Sequence, residues 1–203
     1  MIITLSGNIA SGKSTVAEAL SNKLGMKHYS TGEFMRQMAK QEGVSLQELG
    51  KKAEKDFSID KKIDDWTLNL GKSEDNFIID SRLAWHFIPD SIKIYLFVGK
   101  KDQMRRLMLD QKLKRRKAED FRNEKDAVNK IIARENSEDK RYNKYYKLDY
   151  HDKKHYDLWL NTDGMTIDYC AEVLRKFIEE KYRFKGIETK GFVSKVLKFI
   201  LRK

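Results

Sequence analysis

Eight residues near the start of the chain constrain its fold more than any other feature. Gly7-Asn8-Ile9-Ala10-Ser11-Gly12-Lys13-Ser14 has the spacing G-x-x-x-x-G-K-[ST]. An apolar strand, residues 1–5, precedes it. Residues 14–24 follow with helical patterning and end at Gly25. Gly7 and Gly12 let the backbone turn its amide N–H groups toward one point. The helix start adds a dipole favourable to an anion. Gly7, Asn8, Ile9, Ala10, Ser11, Gly12 and Thr15 are therefore expected around the phosphates of a nucleotide. Lys13 would reach the β- and γ-phosphates, and the Ser14 hydroxyl would ligate magnesium. The strand–loop–helix context argues against a chance glycine turn.

The rest of the chain alternates in the same way. Residues 26–30, 76–80, 92–98 and 156–160 read as strands. Residues 33–42 are helical and stop at Gly43, and Ser45-x-x-Glu48 is a capping box. Ile59, Ile63, Trp66 and Leu70 have helical spacing, with Gly71 as the expected stop. Residues 101–147 predict highly charged helix with a break near 117–123, and residues 166–182 a last helix. Strands alternating with helices imply an α/β fold with a parallel sheet covered on both faces and right-handed crossovers. Asp80 ends the third predicted strand. In this fold class a carboxylate there faces the phosphate loop and is the second magnesium candidate, the alternative being a turn aspartate.

Composition narrows the class further. The 203 residues are 40% hydrophobic and 36% charged, enough for one domain with a core and a very polar surface. No apolar run approaches the ~20 residues of a membrane span. Met1 leads straight into the first strand, so no secretory signal is expected. The single cysteine, Cys170, excludes an intramolecular disulfide, and a reducing, cytoplasmic setting fits best. The net charge is +11, but the last 23 residues hold eight basic residues and one acid. Nucleic-acid binding by the body is thus not implied, although the tail leaves it open.

Phosphoryl transfer brings two polyanions together, so arginines are expected from several segments. Arg36, Arg82, Arg134 and Arg141 are the candidates. Arg134 and Arg141 are seven apart and share a helix face, with Glu138 between them. Glu138 is expected to orient both arginines or to accept a hydrogen bond from a sugar hydroxyl. Lys112, Lys114, Arg115, Arg116 and Lys117 form a basic run that reads equally as a mobile lid, a solvated helix face or an RNA contact.

Together these segments resemble the cytidylate kinase family in its shorter, archaeal-type form. The resemblance spans about residues 1–175. It rests on the phosphate loop, Ser30-Thr31-Gly32-Glu33-Phe34-Met35-Arg36, Asp56-Phe57-Ser58-Ile59-Asp60 and Ile78-Ile79-Asp80-Ser81-Arg82-Leu83-Ala84-Trp85. It continues through Pro89-Asp90, Arg134-Glu135-Asn136-Ser137-Glu138-Asp139-Lys140-Arg141-Tyr142 and Tyr156-Asp157-Leu158-Trp159-Leu160-Asn161-Thr162. The resemblance implies a P-loop kinase three-layer sandwich with a five-stranded parallel sheet of order 2-3-1-4-5. Helical insertions would bind the acceptor, about 31–71, and form a lid, about 108–135, within a kinase domain of residues 1–180. It implies transfer of the ATP γ-phosphoryl group to CMP or dCMP with Mg2+. Lys13, Arg82, Arg134 and Arg141 would be catalytic. Arg36, Arg82 and Arg141 would grip phosphate, Arg134 and Glu138 would contact the acceptor sugar, and Arg105 or Arg106 would lie near the donor adenine. The longer bacterial form carries an acid after the equivalent of Arg82 that helps read cytosine, and here that residue is Leu83. The family's usual glycine is replaced by Ser81.

Other residues have plainer readings. His151 and His155 have helical i,i+4 spacing, but no cysteine or further histidine is nearby to complete a metal site. Trp66, Trp85 and Trp159 are expected in the core, with Trp85, three residues past Arg82, also a candidate neighbour of the acceptor base. Phe192, Val193, Val196, Leu197, Ile200 and Leu201 pattern a basic amphipathic helix within an extension at 181–203. It would dock on its own domain, pair two chains, or meet a membrane or RNA. A monomer or weak dimer is expected. The competing functions are another small P-loop kinase, acting on AMP or a non-nucleotide acceptor, and a nucleotide-dependent RNA- or ribosome-associated protein.

Overall fold

Ile2-Ile3-Thr4-Leu5 runs through the middle of the sheet, which is why it tolerates so little polarity. The computed structural model describes residues 1–112 and 122–183. In it β1 (Ile2–Gly7) pairs in parallel with β3 (Phe77–Asp80) on one side and β4 (Ile92–Phe97) on the other. Ile3, Leu5, Thr4 and Ser6 are all buried, as a strand covered on both faces requires. β2 (Lys27–Ser30) and β5 (Leu158–Asn161) complete the parallel sheet in the order β2-β3-β1-β4-β5. The order turns outward on both sides of β1, so a crevice opens at the carboxyl end of that strand, where such sheets bind ligands.

α1 (Lys13–Leu24) and α8 (Ile167–Arg183) cover one face. Val16, Ala17 and Leu20 meet Cys170, Val173, Leu174 and Phe177 there, over Ile78, Ile94 and Leu96. Burial in this apolar cluster pushes the Cys170 thiol pKa up, consistent with an inert core residue. The opposite face is aromatic. Tyr95, Tyr150, Leu83 and Trp85 form its buried heart, and Trp159 stacks on Tyr95 at 3.8 Å.

Two helical excursions leave this sandwich. Between β2 and β3 run α2 (Thr31–Gln41), α3 (Leu46–Ala53) and α4 (Phe57–Ser73), with a small core of Met38, Ala39, Leu49, Ala53 and Ile59. The Ser45–Glu48 capping box forms as patterned. α5 (Ala84–Phe87) is a single turn after β3. Between β4 and β5 run α6 (Lys100–Lys112) and α7 (Glu124–Tyr146). Leu107, Ala127 and Ile131 pack that pair onto Ile9 and Ala10 of the phosphate loop.

Several expectations need correction. Gly71 does not stop its helix, since α4 continues to Ser73. A Cβ at Gly71 would lie 2.8 Å from Ile88 Cγ1, so the glycine is there to let α4 approach the segment after α5. β5 starts at Leu158 rather than at residue 156. His151 and His155 do not share a helix. His155 ends a 3-10 turn, Lys153–His155, and stacks on Trp85, while His151 Nδ1 lies 2.8 Å from the Tyr95 hydroxyl. Of the basic run, Lys112 is exposed at the end of α6. Lys114, Arg115, Arg116 and Lys117 lie outside the described residues, as does the patterned helix at 192–201. Among the described residues no helix is long and apolar enough to cross a membrane.

Candidate active site

The phosphate loop is held from outside as well as by its own turns. Gly7 has φ 147°, and a Cβ there would lie 2.1 Å from the Leu96 carbonyl oxygen, so only glycine fits. Gly12 is left-handed at φ 89° and opens α1. The Asn8 side chain bridges to the residue just after β4, donating to Val98 O at 2.8 Å and accepting from Val98 N at 3.0 Å. Gln103 Nε2 donates to Ile9 O at 2.9 Å. Arg106 Nη1 donates to Ser11 O at 3.2 Å and to Thr162 Oγ1 at 3.0 Å. Gln103 and Arg106 hold loop carbonyls, while of the loop amides Ile9 N donates weakly to Glu135 Oε1 at 3.5 Å and Ser11 N to Asn8 O at 3.3 Å, contacts that an anion would have to replace.

Lys13 folds back over the loop and donates to Gly7 O at 2.8 Å and Asn8 O at 2.9 Å. Desolvation, followed by the neighbouring Arg82 charge, pulls its ammonium pKa well down, while Asp80 and Glu138 pull it back up. A phosphate arriving here would restore the counter-charge that desolvation removed.

Lys13 opens into a cavity of about 600 Å³. Arg36, Arg82 and Arg134 line it from three separate elements. Glu138 sits at the hinge of this array, almost fully buried. Arg82 Nε donates to its Oε2 at 2.8 Å and Arg134 Nε to its Oε1 at 3.1 Å. Burial alone would raise its carboxyl pKa, but Arg82 and Arg134 override it and hold the group near 2. Arg36 is more loosely held. It is paired with Glu33 at 2.8 Å on an exposed face of α2, an interaction of below about 1 kcal/mol that a phosphate would readily outcompete.

Asp80 joins β3 to the loop. The Ser14 and Ser30 hydroxyls each lie 3.2 Å from its Oδ1, and His28 Nε2 lies 2.9 Å from its Oδ2. Hydroxyl and carboxylate oxygens gathered beside a phosphate loop suit a hard, oxygen-seeking divalent cation. Among the described residues no cluster of three or more His, Cys, Asp or Glu side chains forms a cage made by protein alone.

The model of the cytidylate kinase-like family matches residues 2–164. The chain belongs to the cytidylate kinase-like family. This member is 36% identical over 178 residues to the cytidylate kinase of Sulfurisphaera tokodaii, covering 88% of this chain and 95% of that one. It is 38% identical over 184 residues to the cytidylate kinase of Sulfolobus acidocaldarius, covering 89% and 96%. In solved structures the fold recurs in shikimate kinase from Bacteroides thetaiotaomicron, with TM-score 0.59 and 14% identity over 88% of this chain and 98% of that one. It recurs in shikimate kinase from Acinetobacter baumannii with TM-score 0.56 and 16% identity, covering 89% and 93%. The sheet is therefore that of a P-loop kinase, and the chain is a nucleoside monophosphate kinase.

This cytidylate kinase-like protein gathers Gly12, Lys13, Ser14, Thr15, Arg36 and Asp80 around the main cavity. Ile9, Ala10, Arg82, Arg134 and Glu138 also face it. Gly7, Asn8 and Ser11 act behind it as anchors. Arg141 is placed differently from expectation. Its guanidinium is buried and paired with Asp60 of α4, and it lines a smaller neighbouring cavity of about 330 Å³. Glu138 consequently orients Arg134 and Arg82, not Arg134 and Arg141. Arg105 is exposed and paired with Asp102 at 2.7 Å, beside an outer opening also lined by Gly12 and Thr15. Its neighbour Arg106 turns inward to the loop. Trp85 lines no part of the main cavity. It is buried, and its indole N–H donates to Arg82 O at 2.9 Å. Sequence reasoning missed the anchoring roles of Arg106, Gln103 and Thr162, the His28 contact to Asp80, and Asp60 and Asp64 in the cavity wall. Asp60 and Thr162 carried a signal, through the family-like segments Asp56–Asp60 and Tyr156–Thr162, and Arg106 was named only for the donor base.

The Glu138 pairing sets a pH signature. A carboxyl held near 2 in the folded enzyme and near 4.5 when unfolded contributes stability that is present above about pH 4.5. That contribution is lost as pH falls toward 2. Glu138→Gln is expected to cost about 3 kcal/mol at pH 7. In urea unfolding series its deficit relative to the unsubstituted protein shrinks steadily between pH 4.5 and 2.5. A deficit independent of pH would contradict the pairing.

Proposed function

We propose that this enzyme transfers the γ-phosphoryl group of ATP to CMP or dCMP, giving ADP and CDP or dCDP, with Mg2+. The observation that carries the reading is the single cavity that joins Lys13 and Ser14 of the phosphate loop to Arg36, Arg82 and Arg134. The loop amides would hold the ATP phosphates, with Arg105 at the outer opening toward the donor base. Arg36 and Arg82 would hold the acceptor phosphate. Ser14 and Asp80 would hold Mg2+, which when bound offsets charge on the β- and γ-phosphate oxygens.

An oxygen of the acceptor monophosphate forms the new bond to the γ-phosphorus. The bond from that phosphorus to the β–γ bridging oxygen breaks, and ADP leaves with the electron pair. The acceptor oxygen is already anionic at neutral pH, so no general base is required. The protein contributes alignment and positive charge from Lys13, Arg82 and Arg134. Glu138 contributes by fixing two of those arginines. The helices at 31–71 would serve as the acceptor arm, and the lid assigned to 108–135 includes residues 113–121, which lie outside the described residues.

The test is ADP release in a coupled assay with Mg–ATP and one acceptor at a time from CMP, dCMP, UMP, AMP and GMP. Release that depends on CMP or dCMP, with at least a tenfold lower kcat/KM for the others, is expected. Equal release with AMP or GMP, or none with any acceptor, contradicts the reading.

A further inference from the structure

Resting on the acceptor assignment above, we infer that Asp64 of α4, oriented by Tyr146 of α7, reads the exocyclic 4-amino group of a pyrimidine acceptor. It is the residue that separates a cytosine nucleotide from a uracil nucleotide. α4 turns two carboxylates, Asp60 and Asp64, to the same wall of the cavity that holds Arg36 and Arg82. They are four apart and so lie one turn apart on one helix face.

Asp60 is committed to Arg141 through one oxygen. Its Oδ2 is buried and has no hydrogen-bond partner among the described residues. Asp64 accepts from the Tyr146 hydroxyl through Oδ2, and no described residue donates to its Oδ1. Ile63, Leu83, Phe87 and Tyr142 line the same cavity. The Phe87 and Tyr142 rings neighbour Tyr146, at 5.9 and 6.3 Å between centroids, which places aromatic surface near Asp64. Among the described residues no arginine or lysine forms an ion pair with Asp64, although the Lys61 charge acts on it weakly. Desolvation, with Asp60 and Asp65 adding to it, raises its carboxyl pKa to about 6. A half-buried carboxylate short of donors gains from a neutral N–H group.

The two pyrimidines differ at that edge. Cytosine presents an amino donor at position 4, and uracil a carbonyl acceptor. A carboxylate accepts from the first and repels the second, so discrimination comes from repulsion as well as from a gained bond. Tyr146 occupies one oxygen and so fixes the other toward the pocket. Position 83, beside this wall, is leucine and offers no competing polar atom.

The experiment measures kcat/KM for CMP, UMP and the CMP analogue bearing hydrogen in place of the 4-amino group, in the full chain and in Asp64→Asn and Tyr146→Phe. Asp64→Asn keeps the side-chain shape and lets the amide turn its NH2 toward a carbonyl. The CMP to UMP ratio is expected to fall by about 10–100-fold in Asp64→Asn, with CMP falling and UMP rising. The preference for CMP over the 4-deamino analogue falls by a similar factor. Tyr146→Phe moves both ratios the same way by roughly 3–10-fold. A parallel loss for all three acceptors in Asp64→Asn overturns the inference while leaving the kinase assignment intact. If Asp64→Asn does not fold, unchanged ratios in Tyr146→Phe overturn it. Failure of the unsubstituted protein to use any monophosphate removes the assignment, and the inference with it.

Discussion

Lys13→Ala is expected to lower kcat by about 10³-fold with Mg–ATP and CMP while the protein stays folded. The ammonium is the one side-chain cation of the phosphate loop, and it donates to Gly7 O and Asn8 O. In the absence of nucleotide, desolvation and then the neighbouring Arg82 charge pull its pKa down, so its burial offsets the two hydrogen bonds it makes. Removing it should therefore leave the thermal midpoint unchanged or slightly raised, since Asn8, Gln103 and Arg106 still anchor the loop. The combination is diagnostic. A structural lysine would lower the midpoint together with turnover. A dispensable one would leave kcat within about threefold of the unsubstituted enzyme, and that result would sink the assignment of Lys13 to the transferring phosphate.

Arg141→Ala should show the opposite balance. Arg141 and Asp60 are 3% and 4% exposed, and they join α7 to α4 across 81 residues of chain. Truncating the arginine strands a buried carboxylate whose second oxygen already lacks a partner among the described residues. Breaking one side of such a pair costs about 3–5 kcal/mol. In a domain of this size that lowers the thermal midpoint by roughly 10 °C. Adding Asp60→Asn removes the stranded charge, so the double variant should recover about half of the loss. Urea unfolding of both variants checks the cycle. A loss of less than about 1 kcal/mol in Arg141→Ala would mean that the carboxylate finds another partner, and that the acceptor arm is not tied to α7 through this contact.

These two residues also show which parts of the site were legible in the sequence. The phosphate loop is local. Its glycines, its lysine and the helix it opens lie within one short segment, so spacing alone placed Lys13 and Ser14. The strands were legible because central parallel strands must be apolar throughout. The sheet order came from the resemblance, and the parallel pairings of β1 bear it out.

Charge partnerships were not legible, because they are settled between segments. Glu138 sits one turn from both Arg134 and Arg141, and helix spacing suggested a three-residue cluster. Asp60 comes from 81 residues away and takes Arg141, while Arg82 comes from 56 residues away and takes the second oxygen of Glu138. Arg105 and Arg106 are adjacent in sequence but point about 100° apart around α6. Only the way that helix docks on the loop, through Leu107, Ile9 and Ala10, turns Arg106 inward and leaves Arg105 outside. Gly71 was misread for the same reason. A glycine that admits Ile88 looks, in sequence, like one that ends a helix.

The central claim is that a phosphoryl group passes directly between two nucleotides held in one cavity. Phosphorus NMR of the enzyme with Mg–ATP and CMP tests it most directly. The account predicts that the α- and β-phosphorus signals of CDP appear in step with those of ADP, one for one, with no inorganic phosphate beyond background. Growth of ADP and inorganic phosphate without CDP would contradict it, because the γ-phosphoryl group would then be passing to water.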